Sequence, residues 1–258
     1  WNLYNQFKTH IAEVGGTLIT VEQAFGDREF QITERDNPMH LQVRTEHELW
    51  HKENMINLGV QYLSQIDPQW KYVAWIDADV TFQRKDIILE TAQQLQHYHV
   101  VQMFSHVVDM GPQLEFIQQH AGFAWMYHQN RCYAPQKAGQ GGYYGDQPGH
   151  AFWHPGYAWA ANREFFNKTQ LFDKAILGAG DHHMALSLIG QGYRSLPNGI
   201  SPAYRKAVLD WEKQATYAFQ RDVGYVPGLL THHWHGRKKD RNYIGRWEII
   251  AQNDFDPV

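Results

Sequence analysis

The sequence predicts an α/β protein, a single domain with a mostly parallel, Rossmann-like central sheet flanked by helices. Three observations lead there. Apolar runs of strand length alternate with stretches of helical period, and this β-α-β order favours a doubly wound sheet. The run Lys71-Tyr-Val-Ala-Trp-Ile-Asp77 is mostly apolar, as in strands buried on both faces of a parallel sheet. A chain of 258 residues can also bury roughly three quarters of its unfolded surface, enough for one large core.

Residues 1–12 read as an amphipathic helix. Residues 17–22 are rich in β-branched side chains and end at the Gly26-Asp27 turn signal, which makes them the first strand. A short strand follows at 40–44, then a helix over about 47–65 with Leu49, Met55, Leu58 and Leu63 at helical spacing. Residues 71–77 form the next strand, followed by a helix near 85–97 and a strand at 99–104. Beyond Ser105 the pattern changes. The Gly-rich stretch 139–149 reads as a mobile loop suited to act as a lid. A helix is expected near 162–168, and Gly178-Ala-Gly-Asp-His-His-Met184 opens another that ends by Gly190.

A formal charge of −4 and a pI near 6.5 argue against a general polyanion binder, because non-specific nucleic-acid affinity needs a surplus of Lys and Arg. Positive charge is instead local, at Arg237, Lys238, Lys239, Arg241 and Arg246. The lone Cys132 excludes an internal disulfide framework and suits a reducing compartment. No apolar run approaches the length of a membrane span and no leader pattern is visible, so a cytoplasmic protein is expected.

Asp77-Ala78-Asp79 stands where the apolar strand runs out, and open α/β sheets bind ligands at the carboxyl ends of their strands. Two carboxylates one residue apart can face a hard cation such as Mn²⁺ or Mg²⁺ and leave positions for water and phosphate; a turn-forming Asp pair is the plainer alternative. Histidines 232, 233 and 235 lie in a short, extended stretch, where His233 and His235 share a face and either can complete a metal site. Lys238, Lys239, Arg241 and Arg246 can neutralise a diphosphate, or form a solvated basic tail. Asp181 is either a helix N-cap or a general base, with His182 and His183 as weaker substitutes for the base. Trp153 and Trp159, with Tyr157 between them, are candidates to stack on a sugar, or to fill the core.

Taken together, Trp75-Ile-Asp-Ala-Asp79, Gly156-Tyr-Ala-Trp159, Gly180-Asp181 and His233-Trp-His-Gly236 resemble, in the same order, GT-A glycosyltransferases, particularly bacterial and phage proteins similar to glycosyltransferase family 2. The resemblance runs from about Thr17 onward. It implies a GT-A type fold, with residues up to about 105 holding a nucleotide sugar and residues 106–258 holding the acceptor and the C-terminal metal and diphosphate segment. It assigns metal and donor contacts to Asp77 and Asp79, the base to Asp181, and a metal ligand to His233 or His235. It also sets Glu22 near the nucleobase, Arg44 and Lys52 near ribose or phosphates, and His182 with the aromatic residues near the sugar. Such folds open with a nucleoside-holding strand, and none precedes residue 13; trimming upstream of Trp1 is the expected reason.

The function expected from these residues is metal-dependent transfer of a sugar, with inversion, from a nucleotide-diphosphate sugar to an acceptor hydroxyl. A UDP-sugar is favoured as donor, and the acceptor is a saccharide ahead of a hydroxylated DNA base. The same metal site would also serve nucleotidyl transfer or diphosphate hydrolysis, and the aromatic content a non-catalytic carbohydrate-binding module.

Overall fold

The computed structural model describes residues 2–132, 153–236 and 245–257. Along the chain run α1 (Asn2–Glu13), β1 (Thr20–Phe25), β2 (His40–Thr45), α2 (Lys52–Ile66), β3 (Tyr72–Ile76), β4 (Val80–Phe82), α3 (Ile87–Gln94), β5 (Val100–Gln102), β6 (His106–Met110) and β7 (Phe116–Gly122). Then come α4 (Phe123–His128), β8 (Trp153–His154), β9 (Ala158–Asn162), α5 (Arg163–Lys168), α6 (Gly180–Leu188), a 3-10 turn at Gly192–Ser195, α7 (Pro202–Phe219), β10 (Val223–Tyr225), β11 (Leu229–His232) and α8 (Arg246–Gln252). The glycine-rich stretch 139–149 lies outside the described residues. No described helix is long and apolar enough to cross a membrane.

The expected mostly parallel, Rossmann-like GT-A sheet is not what forms. The strands divide into a parallel pair β1-β2, a four-stranded sheet in the order β10-β5-β9-β3, and a five-stranded sheet in the order β4-β11-β6-β7-β8. Both larger sheets are mixed: β9 runs antiparallel to β3 and β5 while β10 is parallel to β5, and β11 is parallel to β6 but antiparallel to β4. The reason lies in β9. Its Ala-Trp-Ala-Ala sequence is apolar and sits buried between β3 and β5, where a simple β-α-β pattern would set those two strands side by side. An apolar run carries no information about strand direction. β3 itself forms an edge, and its Tyr72 is 38% exposed, so it is not buried on both faces as expected.

Strand alternation splits the core across the four-stranded sheet. Val100, Trp159 and Ala161 join the cluster containing Phe165, Leu186, Tyr204 and Trp211, while Val101, Ala158 and Ala160 join Phe7, Ile87, Phe104 and Leu230. Local signals set the helices. Asn162 caps α5 by accepting from Phe165 N at 3.0 Å, and Ser201 caps α7 by accepting from Tyr204 N at 3.1 Å, with Pro202 at the first helical position.

Gln102, fully buried at the end of β5, joins the two larger sheets: its Nε2 donates to His154 O at 2.9 Å and its Oε1 accepts from Ala124 N at 3.0 Å. Gln102→Leu leaves both main-chain groups without this partner, and we expect a loss of about 2 kcal/mol in urea unfolding. An unchanged midpoint would mean that Gln102 does not join the sheets.

Candidate metal centre and acidic cluster

Pairing register brings the first group of residues together. β11 lies between β4 and β6, with His232 opposite Val80 on one side and Asp109 on the other, so Asp79 and Asp109 flank the end of β11. His233 N donates to Asp79 O at 2.7 Å and fixes that register. Alternation then separates neighbouring histidines. His232 turns inward, and His233 turns to Thr81, with its Nε2 2.9 Å from Thr81 Oγ1. Beyond the strand the chain turns, and His235 returns to the side of His232.

Asp79, His232 and His235 thus converge. Asp79 Oδ2 lies 3.3 Å from His232 Nε2 and 3.0 Å from His235 Nε2, and the two imidazole nitrogens are 3.1 Å apart. Neighbouring ligands of an octahedral ion about 2.1 Å away are separated by about 3.0 Å, so this triangle has the dimensions of one face of such a site. The other carboxylate oxygen, Asp79 Oδ1, is buried without a hydrogen-bond partner among the described residues. An orphaned anionic oxygen beside two convergent imidazoles fits a divalent cation.

The imidazole of His232 is held from behind. Its Nδ1 lies 2.8 Å from Asp109 Oδ1, and Asp109, only 2% exposed, also receives Tyr157 OH at 3.1 Å, Gln118 Nε2 at 2.6 Å and His120 Nε2 at 3.0 Å. A carboxylate on the far nitrogen of a ligating histidine fixes its tautomer and orientation. The pocket selects positive charge. Burial opposes protonation of His232, yet its bonds to Asp109 and Asp79 push its pKa up to about 9. Burial likewise opposes ionisation of Asp79, but His232 and His235 hold its carboxyl well below the usual range.

A second group gathers where α2 begins. Lys52 Nζ forms an ion pair with Asp77 Oδ1, so Asp77 faces a cationic side chain and stands outside the Asp79 triangle. Beside it, Glu53 is 5% exposed and lies against Gly180: a Cβ on that glycine would sit 2.6 Å from Glu53 Cδ. Burial raises the Glu53 carboxyl to about 7 despite the neighbouring Lys52. Asp181 opens α6 and accepts from His182 N at 2.8 Å, and its Oδ2 would be 2.6 Å from a Cβ on Gly156. Burial raises its pKa too, against the pull of Lys52. Arg246 reaches the same region, with Nη1 3.3 Å from Leu177 O.

Other residues singled out by sequence have local partners. Glu22 accepts from Gln31 N at 2.7 Å, Ile32 N at 3.0 Å and Thr33 N at 2.7 Å, and Arg44 bonds Gly26 O and, at 2.9 Å, Arg28 O; together they fasten the connection between β1 and β2. Trp153, Tyr157, Trp159 and His182 are all buried, with Trp153 stacked on His182 and Trp159 Nε1 bonded to Pro155 O at 2.7 Å. Lys238, Lys239 and Arg241 lie outside the described residues. Asp109 and Glu53 escaped the sequence reading. An Asp within the apolar His106-Val-Val-Asp-Met110 strand was a signal for the first; nothing in a helical Lys-Glu pair marks the second.

No protein-family model, no curated protein and no solved structure matches the chain.

Because the folded pKa of Glu53 exceeds its unfolded value, the native state binds more protons than the unfolded state between these two values, and stability declines as pH rises from about 4.5 to about 7. Glu53→Gln removes this decline. At pH 8 its thermal midpoint should exceed that of the wild type by on the order of 5 °C, with little difference at pH 4.5. Parallel pH profiles would show that Glu53 is not held protonated.

Proposed function

We propose that the chain is a metal-dependent glycosyltransferase that moves a sugar from a nucleotide-diphosphate sugar to an acceptor hydroxyl. The observation that carries this reading is the Asp79–His232–His235 triangle with its orphaned carboxylate oxygen. Two imidazoles suit Mn²⁺ better than Mg²⁺, which favours all-oxygen surroundings. Asp79, His232 and His235 would hold the cation, which would supply Lewis-acid charge to a diphosphate leaving group.

The protein's own groups have distinct tasks in this reading. Lys52 and Arg246 offer positive charge to phosphate oxygens, Arg246 with a planar fork and Lys52 as a point charge. Asp181 takes the acceptor hydroxyl proton as the oxygen attacks the sugar carbon; its raised pKa makes it a stronger base than a solvated carboxylate. Attack opposite the leaving group inverts the anomeric centre. A UDP-sugar remains the favoured donor and a saccharide the favoured acceptor, with hydroxylated DNA disfavoured by the charge of −4. The expected setting is the bacterial or phage-infected cytoplasm. Burial of Trp153, Tyr157 and Trp159 weighs against a binding module built on those rings.

Calorimetric titration with UDP, GDP, ADP and CDP, with and without Mn²⁺, should give metal-dependent binding of one of them, weakened at least about tenfold in Asp79→Ala. Binding that is indifferent to chelator, or no binding at all, would overturn the donor site. Asp181→Asn should keep nucleotide affinity and lose about a hundredfold or more in transfer rate. Release of pyrophosphate or a nucleoside monophosphate would point to nucleotidyl transfer or diphosphate hydrolysis instead.

A further inference from the structure

The aromatic rings near the proposed base differ in exposure, and Trp247, which packs on His183 and Arg246, is partly buried. Trp50 is 50% exposed, while Trp153 and Trp159 are 2% and 5% exposed. It lies just before α2, and its backbone N donates to Ile176 O at 2.8 Å, which ties it to the segment leading into α6. Gly178 in that segment has φ +89°, and a Cβ there would sit 2.8 Å from Arg246 Nη1 and 3.9 Å from Trp50 Cδ2. The indole and the guanidinium therefore flank one glycine. Two residues on, Gly180 lies against the buried Glu53, and Asp181 follows.

One short stretch, 178–181, thus lines up an exposed aromatic ring, a guanidinium and two enclosed carboxyl groups. We propose that Trp50 is the platform for the acceptor, on which the C–H face of a neutral pyranoside stacks while its hydroxyls point toward Arg246 and Asp181. A half-exposed indole exposes an apolar face with a polar rim, and a sugar ring has the same division between its faces and its edge. Glu53 and Asp181, which lie against Gly180 and Gly156, offer carboxyl oxygens to the hydroxyls of a neutral ring at this position, and so favour the acceptor sugar there. The backbone bond to Ile176 involves only the Trp50 amide, so anchoring the segment does not require an indole.

This inference rests on the transferase reading, and its test is separable from that reading. Methyl glucosides, galactosides and N-acetylglucosaminides are titrated, without metal or nucleotide, by saturation-transfer NMR against the wild type and Trp50→Phe, Trp50→Leu and Trp50→Ala. We expect at least one glycoside to bind the wild type with saturation concentrated on one ring face. Phenylalanine should hold affinity within about threefold, while leucine and alanine lose about tenfold or more. Leucine keeps apolar bulk, so it answers for alanine if that variant unfolds. Failure of every glycoside to bind the wild type, or equal binding by the leucine variant, would overturn the proposal. So would a tenfold loss of UDP binding in Trp50→Leu, which would make the ring a nucleobase platform. Glycoside binding in a protein that fails the manganese and nucleotide titration would leave the platform standing and remove the transferase.

Discussion

A carboxylate as enclosed as that of Asp109 is costly unless its lone pairs are bonded, and those bonds come from several separate segments, most of them in the five-stranded sheet. Gln118 and His120 come from the adjoining strand, Tyr157 from the segment before β9, and His232 from the strand on the other side. These contacts need one register among β6, β7 and β11. A slip of one residue in β11 would turn His232 away, leave Asp109 short of a donor and bring His233 inward. The geometry beyond Asp109 then follows: His232 is fixed at Nδ1, so its Nε2 meets Asp79 and His235. The same anionic surroundings that hold a proton on His232 are suited to hold a cation.

The acidic cluster at α2 and α6 works on a different principle. There close approach is the condition, and glycines provide it at 156 and 180, where any Cβ would meet Asp181 or Glu53. Two carboxyl groups enclosed beside the Lys52–Asp77 ion pair do not ionise freely, and burial raises both Glu53 and Asp181. The two regions are joined through the chain itself, since Asp77 N donates to Tyr157 O and Tyr157 OH bonds Asp109.

Much of the local structure was legible in the sequence because it depends on neighbours along the chain. The helix expected near 162–168 forms at Arg163–Lys168, and the apolar run at 71–77 does become a strand, Tyr72–Ile76, whereas the long helix Pro202–Phe219 was not foreseen. Sheet order was not legible. Whether β3 pairs with β5 or with β9 depends on contacts distant in sequence, and β9 is as apolar as a parallel neighbour would be. The same limit applies to the candidate site. Asp79, His235, Asp181 and Arg246 stood out by type and spacing, whereas alternation favoured His233 beside His235 because the turn after His232 could not be seen. Asp109 and Glu53 are distinguished only by their burial, and Trp50 by its exposure, neither of which can be read from residue type.

The central claim is that Asp79, His232 and His235 form one metal centre with Asp109 behind it. Manganese K-edge X-ray absorption on the protein loaded with one equivalent of Mn²⁺ tests it most directly. The expected spectrum shows the multiple-scattering pattern of two imidazoles together with nearer oxygen atoms, falling to one imidazole in His235→Ala. A spectrum with oxygen neighbours alone, indistinguishable from hydrated manganese, would contradict it.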